Sequence, residues 1–208
     1  KLKAGFYYQY TQNCLQLNDK NGMFKEIANY SGVCATDWSW GALMFDMDND
    51  GWNDIYVCNG VNRDVTNLDF MNFFADESYH KMVLSGKKKE IDELLKQIPR
   101  TPLPNKVYRN NGNLKFTDIG ETWGFTQPTF SNGAAYADLD NDGDLDIVIA
   151  HVGTAPDVLQ NDGGNRSNSL LVRTIGTTSN RDGIGARLRL FVGGKVLRRD
   201  VKAGSSYL

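Results

Sequence analysis

The stretch DMDNDGWND at residues 46–54 returns 92 positions later as DLDNDGDLD at 138–146. Each copy sets aspartates at loop positions 1, 3, 5 and 9 and glycine at position 6. That is the spacing by which a short loop wraps oxygen ligands around a hard divalent cation, and calcium is its natural occupant. Asp46, Asp48 and Asp50, like Asp138, Asp140 and Asp142, alternate along the loop and can converge on one point, while Asn49 and Asn141 turn outward. Gly51 and Gly143 supply the turn. Trp52 and Asp144 offer a backbone carbonyl, and Asp54 and Asp146 close each ligand set. So many carboxylates in one loop repel one another without a metal, and an all-oxygen set argues against zinc or copper.

An EF-hand opens in the same way, but it ends on a glutamate at position 12 and sits between helices. Position 12 here is Val57 or Ile149. The runs on either side, ALMFD and DIYVC in one copy and AAYAD and DIVIA in the other, are short, apolar and rich in strand formers. The loop is therefore expected to join two strands.

The same offset aligns Leu15 to Val57 with Val107 to Ile149 without a gap. A third, partial copy starts at Val158, where VLQNDGG echoes VYRNNGN from Val107 at an offset of 51. The unit is thus about 51 residues long, and the first copy holds an insertion between Gly60 and Lys106. Each unit reads as four short strands, which is the signature of propeller blades. The expected fold class is all-β: propeller blades spanning 1–164, a helical insert at 61–106 and a further β module at 165–208. Two blades do not close a ring, so the remaining blades are expected outside this sequence.

In the insert, Thr66 and Asp69 read as a helix-capping pair, ahead of a stripe of Leu68, Met71, Ala75, Tyr79 and Met82. A second helix is expected where Ile91, Leu94, Leu95 and Ile98 recur, ending at Pro99. The segment reads either as a helical hairpin packed on the propeller rim or as a partner-docking surface. After Asn165 the metal pattern stops. LLVRTI, ARLRLFV and KVLRRDV then read as strands between glycine-rich turns, with Arg173, Arg187, Arg189, Arg198 and Arg199 along a solvated face.

A chain of 208 residues with 40% hydrophobic content can bury a sizeable core. Its net charge of −2 gives no general attraction to nucleic acid. Cys14, Cys34 and Cys58 have no metal-ligand spacing and read as small buried residues, with one disulfide as the alternative. No apolar run reaches the length of a membrane span. The sequence opens at Lys1 inside a strand pattern without Met or leader, and is expected to be a piece of a longer chain.

The segments WSWGALMFDMDNDGWNDIYVCNG and SNGAAYADLDNDGDLDIVIA resemble FG-GAP, or VCBS, repeats, the calcium-loop blades of integrin alpha-subunit propellers and of many bacterial surface proteins. The run GTTSNRDGIGARLRL resembles the ASPIC/UnbV module that follows such repeats, and NGVNRDVTNLDF is similar to the version in Bacteroidetes members, many of them outer-membrane lipoproteins. The resemblance implies a seven-bladed calcium propeller displayed outside the cell. It also implies two Ca²⁺ sites: Asp46, Asp48, Asp50, the Trp52 carbonyl and Asp54 in one, and Asp138, Asp140, Asp142, the Asp144 carbonyl and Asp146 in the other. The last module is shorter than the family's.

His80 and His151 stand apart in sequence from any serine, cysteine or carboxylate arrangement that reads as a triad, and no glycine-rich phosphate loop is present. Two classes of function follow. One is a non-catalytic extracellular module that binds a protein or glycan at the cell surface. The other is part of a calcium-dependent polysaccharide-degrading enzyme on a similar propeller.

Overall fold

The computed structural model describes residues 11–74, 84, 86, 95–163, 170–178, 180–203 and 206–207. It is mostly β. Strands β1 (Gln16–Asn18) and β2 (Phe24–Glu26) form a hairpin and lead into a single-turn helix, α1 (Ala28–Ser31). Gly32 ends that turn at φ +84°, donating its N–H to the Ala28 carbonyl, a left-handed stop that favours glycine.

The first complete sheet is an antiparallel meander of β3 (Ser39–Phe45), β4 (Asp54–Asn59), β5 (Lys106–Asn110) and β6 (Phe116–Asp118). The second holds β7 (Ser131–Ala137), β8 (Asp146–His151) and β9 (Asp157–Leu159) in the same order. A two-residue strand, β12 (Ser206–Tyr207), pairs along the free side of β7. The duplication seen in the sequence is kept in register: Phe45 pairs with Asp54 as Ala137 pairs with Asp146, and both ladders shift near the start of their first strand. The expected third copy is also placed, because β9 lies on β8 as β5 lies on β4.

Burial follows from the period of two along a strand. Every residue of β4 is buried. Tyr56 and Cys58 face the second sheet, packing with Phe45, Val107, Ala134, Ile147 and Ile149, whereas Ile55 and Val57 face Ala28, Val33 and Tyr108 on the other side. The strand is thus the middle of a stack of sheets, which is why it carries apolar residues on both faces. Phe45 and Tyr136 stack at 4.3 Å between centroids, and Tyr56 meets Phe125 edge-on at 5.6 Å. Each fully buried apolar side chain in this layer contributes about 1.5–3 kcal/mol.

The insert is closed at its base. Val61 and Thr101 exchange two backbone hydrogen bonds, at 3.0 and 2.9 Å, and Asp64 N–H reaches the Pro99 carbonyl at 2.8 Å. Helix α2 (Leu68–Phe74) follows, but its cap is not the expected pair. Asn67 Oδ1 accepts the N–H groups of Asp69 and Phe70, while the Thr66 hydroxyl turns back to Asp64. An amide side chain one residue closer to the helix takes the role. Leu68 and Met71 of the expected stripe are exposed, whereas Ala75, Tyr79, Met82, Ile91 and Leu94 lie outside the described residues. Residues 95–97 are helical, and Ile98 is buried where they meet the base.

Near the end of the chain, β10 (Arg187–Val192) and β11 (Lys195–Asp200) pair through a turn at Gly193 and Gly194, whose φ values of +54° and +75° suit a primed two-residue hairpin. LLVRTI forms no strand, in contrast to its pattern. Leu171 is 90% exposed, and without a partner strand among the described residues its alternation has no sheet to join. The hairpin's arginines are exposed, as expected, but three of them are paired. Arg187 and Arg198 pair with Asp200, and Arg199 reaches back to Asp46. The cysteines are all free, and Cys14 is exposed, contrary to the expected burial. No helix among the described residues is long and apolar enough to cross a membrane.

Candidate metal loops

Both acidic loops join the first strand of a sheet to the second, as their flanking patterns predict. Their backbones match. Position 4 is left-handed in each, with φ +56° at Asn49 and +63° at Asn141, and so is position 6, with +93° at Gly51 and +97° at Gly143. Asparagine is the side-chain-bearing residue best suited to that region, and glycine enters it without penalty.

These reversals fold the carboxylates inward and satisfy the loop amides. Asp46 Oδ2 accepts the Gly51 N–H at 3.0 Å, as Asp138 Oδ2 accepts that of Gly143 at 3.2 Å. Asp48 Oδ1 accepts from Asp50 N–H and Asp50 Oδ1 from Trp52 N–H, repeated by Asp140 with Asp142 and by Asp142 with Asp144. Two equivalent oxygens, one from each loop's first position, stand apart. Asp46 Oδ1 and Asp138 Oδ1 are buried and have no hydrogen-bond partner. A buried acceptor left so costs about 1–3 kcal/mol unless something else meets it.

One carboxylate oxygen from each of Asp46, Asp48 and Asp50 lies within 4.8 Å of the others, and Asp138, Asp140 and Asp146 form the second such group. Each cluster can hold a metal ion. The chemistry fits a hard cation, since every donor is a carboxylate oxygen and the orphaned acceptor points to a missing positive partner. Burial raises the Asp46 carboxyl above its usual range, with the Gly51 N–H and Arg199 pulling the other way. Burial likewise pushes Asp54 up to about 6, against the N–H groups of Asn110 and Met47.

Asp54 and Asp146 do more than close a ring. Asp54 Oδ2 takes the Met47 N–H at 3.0 Å and Oδ1 the Asn110 N–H at 2.8 Å. Asp146 repeats both bonds, to Leu139 and Asn161. Asp54 thereby clips its loop to the end of β5 and Asp146 clips its loop to the turn just past β9, and Asp54 stays out of the first cluster. Trp52 sets its indole over Gly112, where a Cβ would come within 3.3 Å of the ring. The Asp144 side chain is buried. The two loops also touch, through the Asn49 amide on the Gly143 carbonyl at 3.3 Å and the Asn161 amide on the Met47 carbonyl at 2.7 Å.

The charged surroundings differ between the copies. Arg109 on β5 places Nε 2.8 Å from Asp48 Oδ2 and Nη2 3.6 Å from Asp50 Oδ2, and Arg199 Nη2 lies 3.3 Å from Asp46 Oδ2. At the position matching Arg109 in the next unit stands Gln160, whose amide donates to Asp140 Oδ2 at 2.6 Å. These partners are invisible to a motif reading because they come from outside the loops.

The sequence also gave no sign of a second constellation. His151 does have neighbours: Ser131 Oγ is 3.0 Å from Nδ1, and Asp157 Oδ2 is 2.9 Å from Nε2. The strand ladder creates this set, since Ser131 sits opposite His151 and Asp157 lies on the adjacent strand. It has the members of a triad but not the access. Ser131 is 0% exposed and its hydroxyl also meets that of Thr129 at 2.6 Å, so no substrate carbonyl can reach it. His80 lies outside the described residues.

Residues 6–57 and 99–149 each match the FG-GAP-like repeat. No curated protein matches the chain.

Proposed function

Starting from a chain that carries two FG-GAP-like repeats, we propose that this protein is a non-catalytic, calcium-stabilised propeller module that holds a protein or glycan partner at the cell surface. Repeats of this kind are typical of extracellular and surface proteins, and a bacterial outer membrane is the setting suggested by the inserted segment and the terminal ASPIC/UnbV-like stretch. The observation that carries the calcium reading is the pair of equivalent atoms, Asp46 Oδ1 and Asp138 Oδ1, each buried without a partner inside a carboxylate cluster. Calcium would neutralise those clusters and brace the strand-to-strand loops. Calcium loops of extracellular modules bind at about 10⁻⁴–10⁻³ M and are filled only outside the cell.

The non-catalytic reading is supported by the use of the aspartates as loop and metal groups and by the burial of Ser131. It is tested by offering the full chain, calcium-loaded, a panel of acidic and neutral polysaccharides and esters. Calcium-dependent binding without turnover is expected. Cleavage at a rate abolished by a single His151 or Lys106 substitution would establish the enzyme alternative instead.

A further inference from the structure

We infer that the cavity between the first acidic loop and the β10–β11 hairpin binds an acidic sugar unit of a glycan, carboxylated or sulfated. The inference rests on the partner-holding reading above and names the partner's chemistry and its place.

The cavity measures about 330 Å³ and is walled by Gly51 and Trp52 on one side and by residues 195–199 on the other. Leu197 seats the hairpin there, its Cδ2 lying 3.3 Å from where a Cβ would stand on Gly51, and the Arg199–Asp46 pair holds it at 3.3 Å. Such a volume lies at the lower end of small-ligand sites and suits a sugar unit better than the flat face of a folded partner.

The lining is what an acidic sugar requires. Trp52 is 46% exposed, and its indole rests against Gly112. A ring fixed in that way offers its negative face to the C–H groups of a sugar. Around it stand Lys195, Arg198 and Arg199, and the one carboxylate of the lining, Asp50, is drawn to Arg109 at 3.6 Å. Arg198 spends Nε and Nη2 on Asp200, which leaves Nη1 to donate. Lys195 has no ion-pair partner among the described residues, and neither has Arg189, which faces Arg198 across the ladder. Like charges placed opposite one another repel, and a bound anion relieves that repulsion. Guanidinium and ammonium groups side by side match a carboxylate or a sulfate. The aromatic wall favours a sugar over an acidic peptide, whose carboxylates need no ring. The net charge of −2 gives a nucleic acid nothing to follow beyond this patch.

Calorimetric titration of the full chain in millimolar CaCl₂ tests this, with tetragalacturonate, its methyl ester, a heparin tetrasaccharide, tetra-aspartate and a short single-stranded DNA as probes. An acidic sugar should bind at least about tenfold more tightly than the ester, and Trp52→Ala and Lys195→Glu should each weaken it about tenfold, while Trp52→Phe stays within about threefold. Calcium uptake and melting temperature should not change with Lys195→Glu. Lys195 is exposed beside the hairpin turn, so its exchange carries the test even where Trp52→Ala fails to fold. Equal binding of acid and ester, of tetra-aspartate or of DNA would overturn the inference. So would sugar binding through a calcium bridge, which Lys195→Glu would leave intact. Binding of no probe would overturn it as well, leaving the partner-holding reading to another surface. Turnover of a bound sugar would instead overturn that reading and leave the site in place.

Discussion

The Asp54 carboxylate receives the backbone N–H of Asn110 at 2.8 Å, so the last residue of the first acidic loop is fastened to the third strand of its sheet. Its second oxygen holds Met47 at the other end of the loop, and the side chain is 0% exposed. Replacing it by alanine leaves two amides without their acceptor in a buried layer. Asp54→Ala is therefore expected to destabilise the fold by about 2–4 kcal/mol even in chelator. A denaturant midpoint unchanged by the substitution would show that the clip is idle.

The same residue sets a pH dependence. Burial holds its carboxyl at about 6, above the ordinary aspartate value of 3.8 that it regains on unfolding. Between those values the folded state binds the extra proton, so stability in chelator rises as pH falls through 6 toward 4 and is lost again as pH rises through 6. Melting curves of wild type and Asp54→Asn from pH 4 to 7 should differ in slope in that window, the variant being flatter. Parallel curves would contradict the assignment.

Gly60 is a steric test of how the sheets abut. At φ +105°, a Cβ there would sit 2.1 Å from the Thr129 carbonyl oxygen, a backbone atom that cannot step aside. Trp40 also bonds the Gly60 carbonyl through its indole N–H, at 2.6 Å. Gly60→Ala should cost about 3 kcal/mol or more in thermal or chemical unfolding, combining clash and left-handed strain. A loss below about 1 kcal/mol would mean that the two segments part easily.

The insert should be removable above its base. Val61 and Thr101 pair, and Ile98 is buried, so the base belongs to the fold. Replacing residues 66–96 by a short glycine-rich turn keeps that ladder, and the shortened protein should retain its cooperative melt. Loss of partner binding with folding intact would assign the segment to docking, whereas loss of folding would assign its apolar residues to the core.

The repeat made most of this legible. An offset of 92 residues placed both loops, their flanking strands and the third-strand turns, because duplicated spacing carries three-dimensional equivalence with it. What stayed hidden depends on neighbours far along the chain. Arg199 reads as one of a row of solvated arginines and Arg109 belongs to no motif, until the β10–β11 hairpin and β5 bring them to the first loop. Ser131, His151 and Asp157 are separated by turns of no particular pattern, and only the ladder aligns them. Thr66 fits the capping pattern in sequence, but the backbone enters α2 one residue later, which gives the cap to Asn67. LLVRTI has the pattern of a strand, but among the described residues no strand pairs with it.

The two aspartate loops are proposed as cation sites that brace the fold. The most direct measurement is the melting temperature of the full chain in EDTA, then after addition of millimolar CaCl₂, with bound metal counted by elemental analysis. At tenfold excess over its dissociation constant each ion adds about 1.4 kcal/mol, so calcium should raise the melting temperature reversibly and Asp140→Ala should remove about half of the gain. A chain that binds no metal and melts at the same temperature in EDTA and in calcium contradicts the claim.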